Sequence, residues 1–280
     1  MKLSIITINY NNIAGLRKTV SSVLSQTWND FEWIIIDGGS TDGSREFIAE
    51  TENKLKKTSF NPLVFWCSEP DKGIYNAINK GISHCKGDYI NCMNSGDEFY
   101  ESNTLEKVFQ SQKNNIDIIY GDSYHYTSEK NFIGHFPYPI NIFNFYHINI
   151  CHQAMFVKTE LLKASGFDEK YRICADYAKW IELTLQGCIY EYVPFIICRF
   201  DMNGMSNTGN LIYQERDEIQ RTLIPEHTLI LIKEHAKYVS CGDRLLRARE
   251  ILIEGGFLTK LLAAIIKLLY YFKNQNKHYS

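Results

Sequence analysis

The stretch IIIDGGSTDGS, Ile34 to Ser44, decides how the chain is read. An unbroken apolar run stops on Asp37, two glycines follow, and the residues from about Asp42 take up a polar helical pattern. A short run that is apolar at every position is a strand covered on both faces, which belongs to a parallel sheet. Asp37 then stands at the carboxyl end of such a strand. In a calcium loop counted from Asp37, the sixth residue should be glycine and the twelfth glutamate, but these are Asp42 and Ile48. No Gly-Lys-Ser/Thr follows, so a Walker phosphate loop is excluded, and the first strand-helix turn lacks GxGxxG. What survives is a carboxylate able to accept hydrogen bonds from a nucleobase or a ribose, with Gly38 and Gly39 letting a ligand approach the backbone. Thr41 and Asp42 read as caps of the next helix.

The same grammar extends outward. LSIITIN, EWIIID, LVFWCS and DYINCM are apolar runs separated by helical patterns, the third helix running from about Gly73 to Cys85 and the fourth from about Ser102. IDIIYG follows as a further apolar run. This alternation predicts a mostly parallel sheet with helices on both faces, and such sheets bind ligands beyond the carboxyl ends of their strands. Four consecutive strand ends carry polar, glycine-rich or acidic loops: Asn9 to Asn12, Asp37 to Ser40, Glu69 to Gly73 and Asn94 to Asp97. After Gly121 the segments become short and aromatic, which predicts a mixed-sheet region shaping a second pocket. From Asn210 onward the pattern is helical.

Composition narrows the function. The chain has 280 residues, 45% of them apolar, enough for a large buried core. Thirty basic residues against 32 acidic ones leave a formal charge of -2, without the basic footprint of a nucleic-acid binder. Eight cysteines with no CxxC pair predict free thiols in a reducing, cytoplasmic setting. The N-terminal MKLSIITINY reads as a first strand rather than a signal peptide. The most apolar window, Phe257 to Phe272, is interrupted by Lys260 and Lys267 and falls short of a membrane span. With Lys273 it forms a basic amphipathic segment, 257–273, suited either to the membrane surface or to packing on protein.

Several residues carry candidate chemistry. Asp71 and Lys72 precede a helix, where a diphosphate would be favoured, although Asp71 also suits a plain cap. Asp97, in Asn94-Ser95-Gly96-Asp97, is a hard oxygen ligand for Mg²⁺ or Mn²⁺ facing a phosphate. Asp176 opens the aromatic and apolar helix of ADYAKWIEL and is either a cap or a general base. His152 and Gln153 could orient a sugar hydroxyl. Cys151 beside His152 is a poor nucleophile pair, because neighbours on a strand point to opposite faces.

In order along the chain stand SIITINYNN, IIIDGGSTDGS, SEPDKGIYNAINKGI, GDYINCMNSGDEF, HQAMFVK, GFDEKYRICADYAKWIEL and GMS. Over roughly Lys2 to Ser206 this resembles the inverting family-2 glycosyltransferases of the GT-A fold, and in particular bacterial enzymes that build surface polysaccharides. The resemblance implies a GT-A catalytic domain over 1–209, divided into a nucleotide-sugar half (1–121) and an acceptor half (122–209), with a helical extension over 210–280. It implies that Thr7, Asn9 and Tyr10 contact the nucleoside, that Asp37 binds the base, and that Asp71, Lys72, Asn94 and Ser95 complete the donor site. Asp97 matches the last carboxylate of the metal-binding DxD motif, Asp176 the catalytic base, and Gly204 to Ser206 a mobile segment near the donor. The sequence departs from the family at Gly96, where a second acidic residue is usual. The absence of Gln-x-x-Arg-Trp after Asp176 implies transfer of one sugar at a time. The expected donor is a nucleotide diphosphate sugar, UDP-linked by preference, and the expected acceptor a glycan or polyprenyl-linked sugar at the inner face of the membrane. A binder of sugar nucleotides that has lost catalysis is the rival expectation.

Overall fold

The computed structural model describes residues 2–110, 115–202, 210–234 and 236. Gly204 to Ser206, Cys241 and the 257–273 segment lie outside the described residues. The chain divides into two compact units, Met1–Ile224 and Pro225–Ser280. In the second, residues 226–234 are helical.

The first unit is built on one nine-stranded sheet. Strands β1 (Leu3–Asn9), β2 (Phe31–Asp37), β3 (Leu63–Ser68) and β4 (Tyr89–Cys92) lie in the order β3-β2-β1-β4 and are all parallel. Helices α1 (Ile13–Leu24), α2 (Ser44–Leu55) and α3 (Ile74–His84) connect them. Because strand side chains alternate, Leu3, Ile5, Trp33 and Ile35 share one core with Leu16, Val20 and Val23 of α1 and Ile48 of α2. The opposite face is covered by α3, packed so closely that a Cβ on Gly81 would lie 2.6 Å from Cγ2 of Ile6. Each fully buried Leu, Ile or Val contributes roughly 1.5–3 kcal/mol, which outweighs the modest strand or helix propensity of any one position.

Beyond β4 the sheet becomes mixed. After β5 (Glu98–Phe99) and α4 (Thr104–Gln110) come β6 (Ile118–Tyr126), β7 (Asn131–Gly134) and α5 (Ile142–His147). Then follow β8 (Met155–Lys158), α6 (Thr159–Ser165), α7 (Ala175–Leu185), β9 (Tyr190–Asp201) and α8 (Leu211–Leu223). β8 runs antiparallel to β4 and β6, while β9 runs parallel to β6 and antiparallel to β5. The architecture is thus the α/β one expected, a mostly parallel half joined to a mixed half. One local reading changes: His152–Ala154 form a turn of 3-10 helix, and the strand begins only at Met155. Alternation along a strand therefore does not separate Cys151 from His152, and both line the same cavity. The seven described cysteines are free thiols.

Candidate active site

The ends of β1 and β2 are in register, Asn9 opposite Asp37. Asp37 is 0% exposed, and its carboxylate is fully engaged within the protein. Oδ1 accepts from Nδ2 of Asn9 at 2.7 Å and from the Ser40 hydroxyl at 2.6 Å; Oδ2 accepts from the Ser40 N–H at 2.9 Å and the Ser68 hydroxyl at 2.6 Å. Burial alone would raise this carboxyl, but the Ser40, Ser68 and Asn9 hydrogen bonds outweigh it and hold the group below its ordinary value. Asp37 thus ties three strand ends and a turn together. Thr7 lies deeper in β1, where its hydroxyl accepts from the Trp33 indole at 3.0 Å. Asp42 joins two helix starts, accepting from the N–H of Ser44 at 3.1 Å and of Ile13 at 2.8 Å.

What faces outward at this rim is a different set. Tyr10 is 67% exposed. Asp71 accepts from the Gly73 N–H at 2.9 Å through Oδ1, while Oδ2 lies 2.6 Å from where a Cβ on Gly38 would stand, with the Tyr10 ring 3.1 Å from the same point. A side chain at 38 would therefore have to displace the Asp71 carboxylate and the exposed Tyr10 ring.

Asp176 lies in the first turn of α7, where the helix N-terminus favours a negative charge. It is 6% exposed and held from three elements. Oδ1 accepts from the Tyr177 N–H at 2.7 Å and the Tyr75 hydroxyl at 3.1 Å; Oδ2 accepts from Nδ2 of Asn149 at 3.3 Å. Nδ1 of His152 stands 3.5 Å from Oδ2, an ion-pair distance without a hydrogen bond. Nε2 of His152 takes a hydrogen from the Asn94 amide at 2.9 Å, so a neutral ring carries its proton on Nδ1, facing Asp176. Burial works against a charged imidazole there, yet the Asp176 carboxylate keeps His152 above its usual value. Burial, reinforced by the Asp176 charge, keeps the Tyr75 phenol protonated.

Asp176 lines a cavity of about 430 Å³ together with Lys72, Asn94, His152 and Gln153. Five lining residues carry buried side-chain atoms with no hydrogen-bond partner: Oδ1 of Asn94 and Asn149, Nδ1 of His152, Oε1 of Gln153 and the Tyr171 hydroxyl. A polar ligand would satisfy such atoms, since a buried group left unpaired costs about 1–3 kcal/mol. Asp97 sits beside this cavity, 5% exposed, linked to it by Nε2 of Gln153, which donates to Oδ2 at 2.6 Å. Oδ1 accepts from the Asp201 N–H at 3.0 Å. Burial pushes the Asp97 carboxyl up to about 7, against the pull of these two hydrogen bonds.

The structure thus gathers Lys72, Asn94, His152, Gln153 and Asp176 in one cavity, with Asp97 and Ser95 next to it, and sets Asn9, Tyr10, Asp37 and Asp71 at the neighbouring rim. Sequence reading missed Tyr75, Asn149, Tyr171, Arg172 and Arg216. Tyr75 stands in the motif already singled out, at a helix position that spacing assigns to the core. Tyr171 and Arg172 stand in the motif around Asp176, but nothing in the local sequence marks Asn149 or Arg216.

Comparison with known proteins bears on this geometry. Residues 4–163 match the model of the family described as Glycosyl transferase family 2. A "PGL/p-HBAD biosynthesis glycosyltransferase" of Mycobacterium bovis is 28% identical over 210 residues, covering 73% of this chain and 79% of the relative. An uncharacterized glycosyltransferase of Methanocaldococcus jannaschii is 25% identical over 225 residues, covering 76% and 75%. Among solved structures, S. aureus TarS 1-349 in complex with UDP superposes with a TM-score of 0.59 at 16% identity, covering 83% of this chain and 69% of that one. The mannosyltransferase PcManGT from Pyrobaculum calidifontis, in complex with GDP-Man and Mn²⁺, gives 0.59 at 14% identity, covering 99% and 82%. These two similarities speak to the fold.

Proposed function

The chain belongs to glycosyl transferase family 2, and from that premise we propose that it is an inverting, non-processive enzyme. It moves one hexosyl or N-acetylhexosaminyl unit from a nucleotide diphosphate sugar to a hydroxyl of a glycan or lipid-linked acceptor, in the building of a bacterial surface polysaccharide. The observation that carries this reading is Asp176 at the head of α7, opening into a cavity lined by unpartnered polar atoms. The relatives are named glycosyltransferases, and solved neighbours hold UDP, UDP-GlcNAc or GDP-Man, which supports a nucleotide sugar as donor.

The chemistry follows from the residues. An acceptor hydroxyl in the cavity gives its proton to Asp176 as its oxygen forms a bond to the anomeric carbon. The bond from that carbon to the diphosphate breaks on the opposite side, so the centre inverts in one displacement and the electron pair leaves with the nucleotide diphosphate. Tyr75, Asn149 and the Tyr177 N–H hold the carboxylate in place. His152, facing Oδ2, compensates the charge. Such positioned base assistance contributes ~10²- to 10⁴-fold. The donor lies along the rim, with its base near Tyr10 and Asp71.

A divalent cation, Mn²⁺ or Mg²⁺, fits at Asp97 as a site with a single protein carboxylate. Among the described residues no cluster of three His, Cys, Asp or Glu could hold a metal, so donor phosphates and water would complete its shell, as these ions allow. The unpartnered oxygens of Asn94, Ser95 and Gln153 are its polar neighbours. Bound there, the ion would neutralise charge on the departing diphosphate.

Purified Asp176→Asn protein should turn over at least a hundredfold more slowly than the parent while binding UDP or GDP as well. Release of nucleotide diphosphate, with the product anomer read by NMR, measures both claims. A parental rate, or a product that retains the donor's configuration, refutes the mechanism.

A further inference from the structure

The cavity above Asp176 holds two arginines that the reaction derived so far does not use. Arg172 stands in the loop leading into α7 and Arg216 on α8, and both line the cavity. The backbone of Arg172 and the side chain of Arg216 are held in place, while Arg172 itself is exposed. The Glu215 carboxylate accepts hydrogen bonds from three successive backbone N–H groups, those of Arg172 at 2.8 Å, Ile173 at 3.0 Å and Cys174 at 2.9 Å, so α8 and the loop form one wall. The Arg216 guanidinium rests over the Tyr177 ring, 4.6 Å from its centroid, and reaches the Tyr146 carbonyl at 3.5 Å.

Neither arginine has an ion-pair partner among the described residues, whereas the next arginine on α8, Arg221, pairs with Asp217 at 2.9 Å. The cavity's carboxylates are Asp176 and Glu169. Glu169 is occupied by Asn76 at 2.9 Å and Asn79 at 3.0 Å, and its nearby positive charges are Lys72 and Lys80. Two arginines lining one cavity without an ion-pair partner among the described residues match a planar or tetrahedral anion, which arginine binds through paired N–H donors. Lys72 and Asn94, which the resemblance gives to the donor site, also line this cavity, whereas Tyr10, Asp71 and Asp97 do not, so an acceptor's anion has to be separated from the donor's diphosphate by experiment. At about 430 Å³ the cavity has small-ligand dimensions.

We propose that the acceptor carries an anionic group, phosphate or carboxylate, bound by Arg172 and Arg216 while the hydroxyl to be glycosylated meets Asp176. This rests on the reading of Asp176 as base and the cavity as acceptor site. The substrate class is then a sugar phosphate, free or lipid-linked, or an acidic sugar.

The test uses the full chain saturated with UDP, so that the diphosphate site is filled, and titrates it calorimetrically with glucose 1-phosphate, glucuronate and methyl glucoside. An anionic probe should bind at least tenfold more tightly than the neutral one, and the better of the two anions identifies the source. Arg172→Gln and Arg216→Gln should each erase that preference while UDP affinity stays within twofold. Equal binding of all three probes by the wild type overturns the proposal without any variant having to fold. A tenfold loss of UDP affinity in either variant overturns it too, by assigning the arginines to the donor. A wild-type protein that binds no nucleoside diphosphate refutes the glycosyltransferase reading itself, a separate and earlier failure.

Discussion

Replacing Asp97 by asparagine should stabilise the metal-free protein, and by an amount that depends on pH. The Asp97 carboxyl is raised from the ordinary 3.8 to about 7 by burial. A carboxyl raised in the folded state favours folding when protonated. The stability it supports is full below the unfolded-state value and falls as pH rises toward the folded one, where the unfolded chain is ionised and the native group is not. At about 1.36 kcal/mol per unit, the wild type should lose about 2.5 kcal/mol from this group between pH 5 and 7.5. Asparagine has no such term and fits the hydrogen bonds: its oxygen keeps the Asp201 N–H, and its NH₂ meets Oε1 of Gln153, an atom now without a partner, once that amide turns over. Denaturant unfolding in chelator at several pH values measures both proteins. The stability gap, variant minus parent, should widen by roughly 2–3 kcal/mol over that range, while glycosyl transfer is lost. A gap constant across pH would refute the reasoning, because it would mean that Asp97 is already ionised throughout.

Three further substitutions probe other parts of the argument. Tyr75→Phe removes a hydroxyl shared between the Ile173 carbonyl at 2.6 Å and Asp176; steady-state kinetics should give kcat lowered about tenfold, a loss of ~1.4 kcal/mol, with donor KM unchanged, and an unchanged kcat would exclude Tyr75 from positioning the base. Asp37→Asn sets an NH₂ group among donors and should cost ~1–3 kcal/mol of stability by urea denaturation. Because the native Asp37 carboxyl is lowered, that deficit should be full above the unfolded-state value and fade as pH falls below it, so a pH-independent deficit would contradict the assignment. Gly81→Ala gains helix propensity of up to ~1 kcal/mol but drives a methyl against Ile6, an overpacking cost of ~1–3 kcal/mol; a raised urea midpoint would show that α3 can shift away from the sheet.

The parallel half of the fold was legible because its signals are local. β1 to β4 are apolar throughout, each is followed by a helical pattern, and the polar loops fall where sheets of this kind bind ligands. The 3-10 turn at His152 was not legible, since HQAMFVK has strand composition and only its packing against β4 and β9 shortens the strand. At the rim, spacing located carboxylates at strand ends without saying which way their oxygens face. Asp37 is enclosed by Ser40 and Ser68, whereas Asp71 approaches Gly38 from a different loop. The cavity is the least local feature: Asp176 is held by residues 27 and 101 positions away, Asn149 and Tyr75. Such pairings follow from the mixed half of the sheet, which carries no periodic signature. Likewise α8 was recognisable as a helix but not as a wall of the site, because the role of Glu215 exists only once the 172–174 loop lies beside it.

That clamp has a consequence for the order in which the protein matures on the ribosome. Every strand of the rim, β1 through β4, is synthesised by residue 92 and pairs through short crossovers, so the rim can assemble while the second half is still being translated. The loop that leads to Asp176 waits for Glu215, 41 residues beyond Cys174, before its three N–H groups are tied down. The start of the helix that presents Asp176 therefore gains this anchor only after α8 has been synthesised, long after the rim strands are complete.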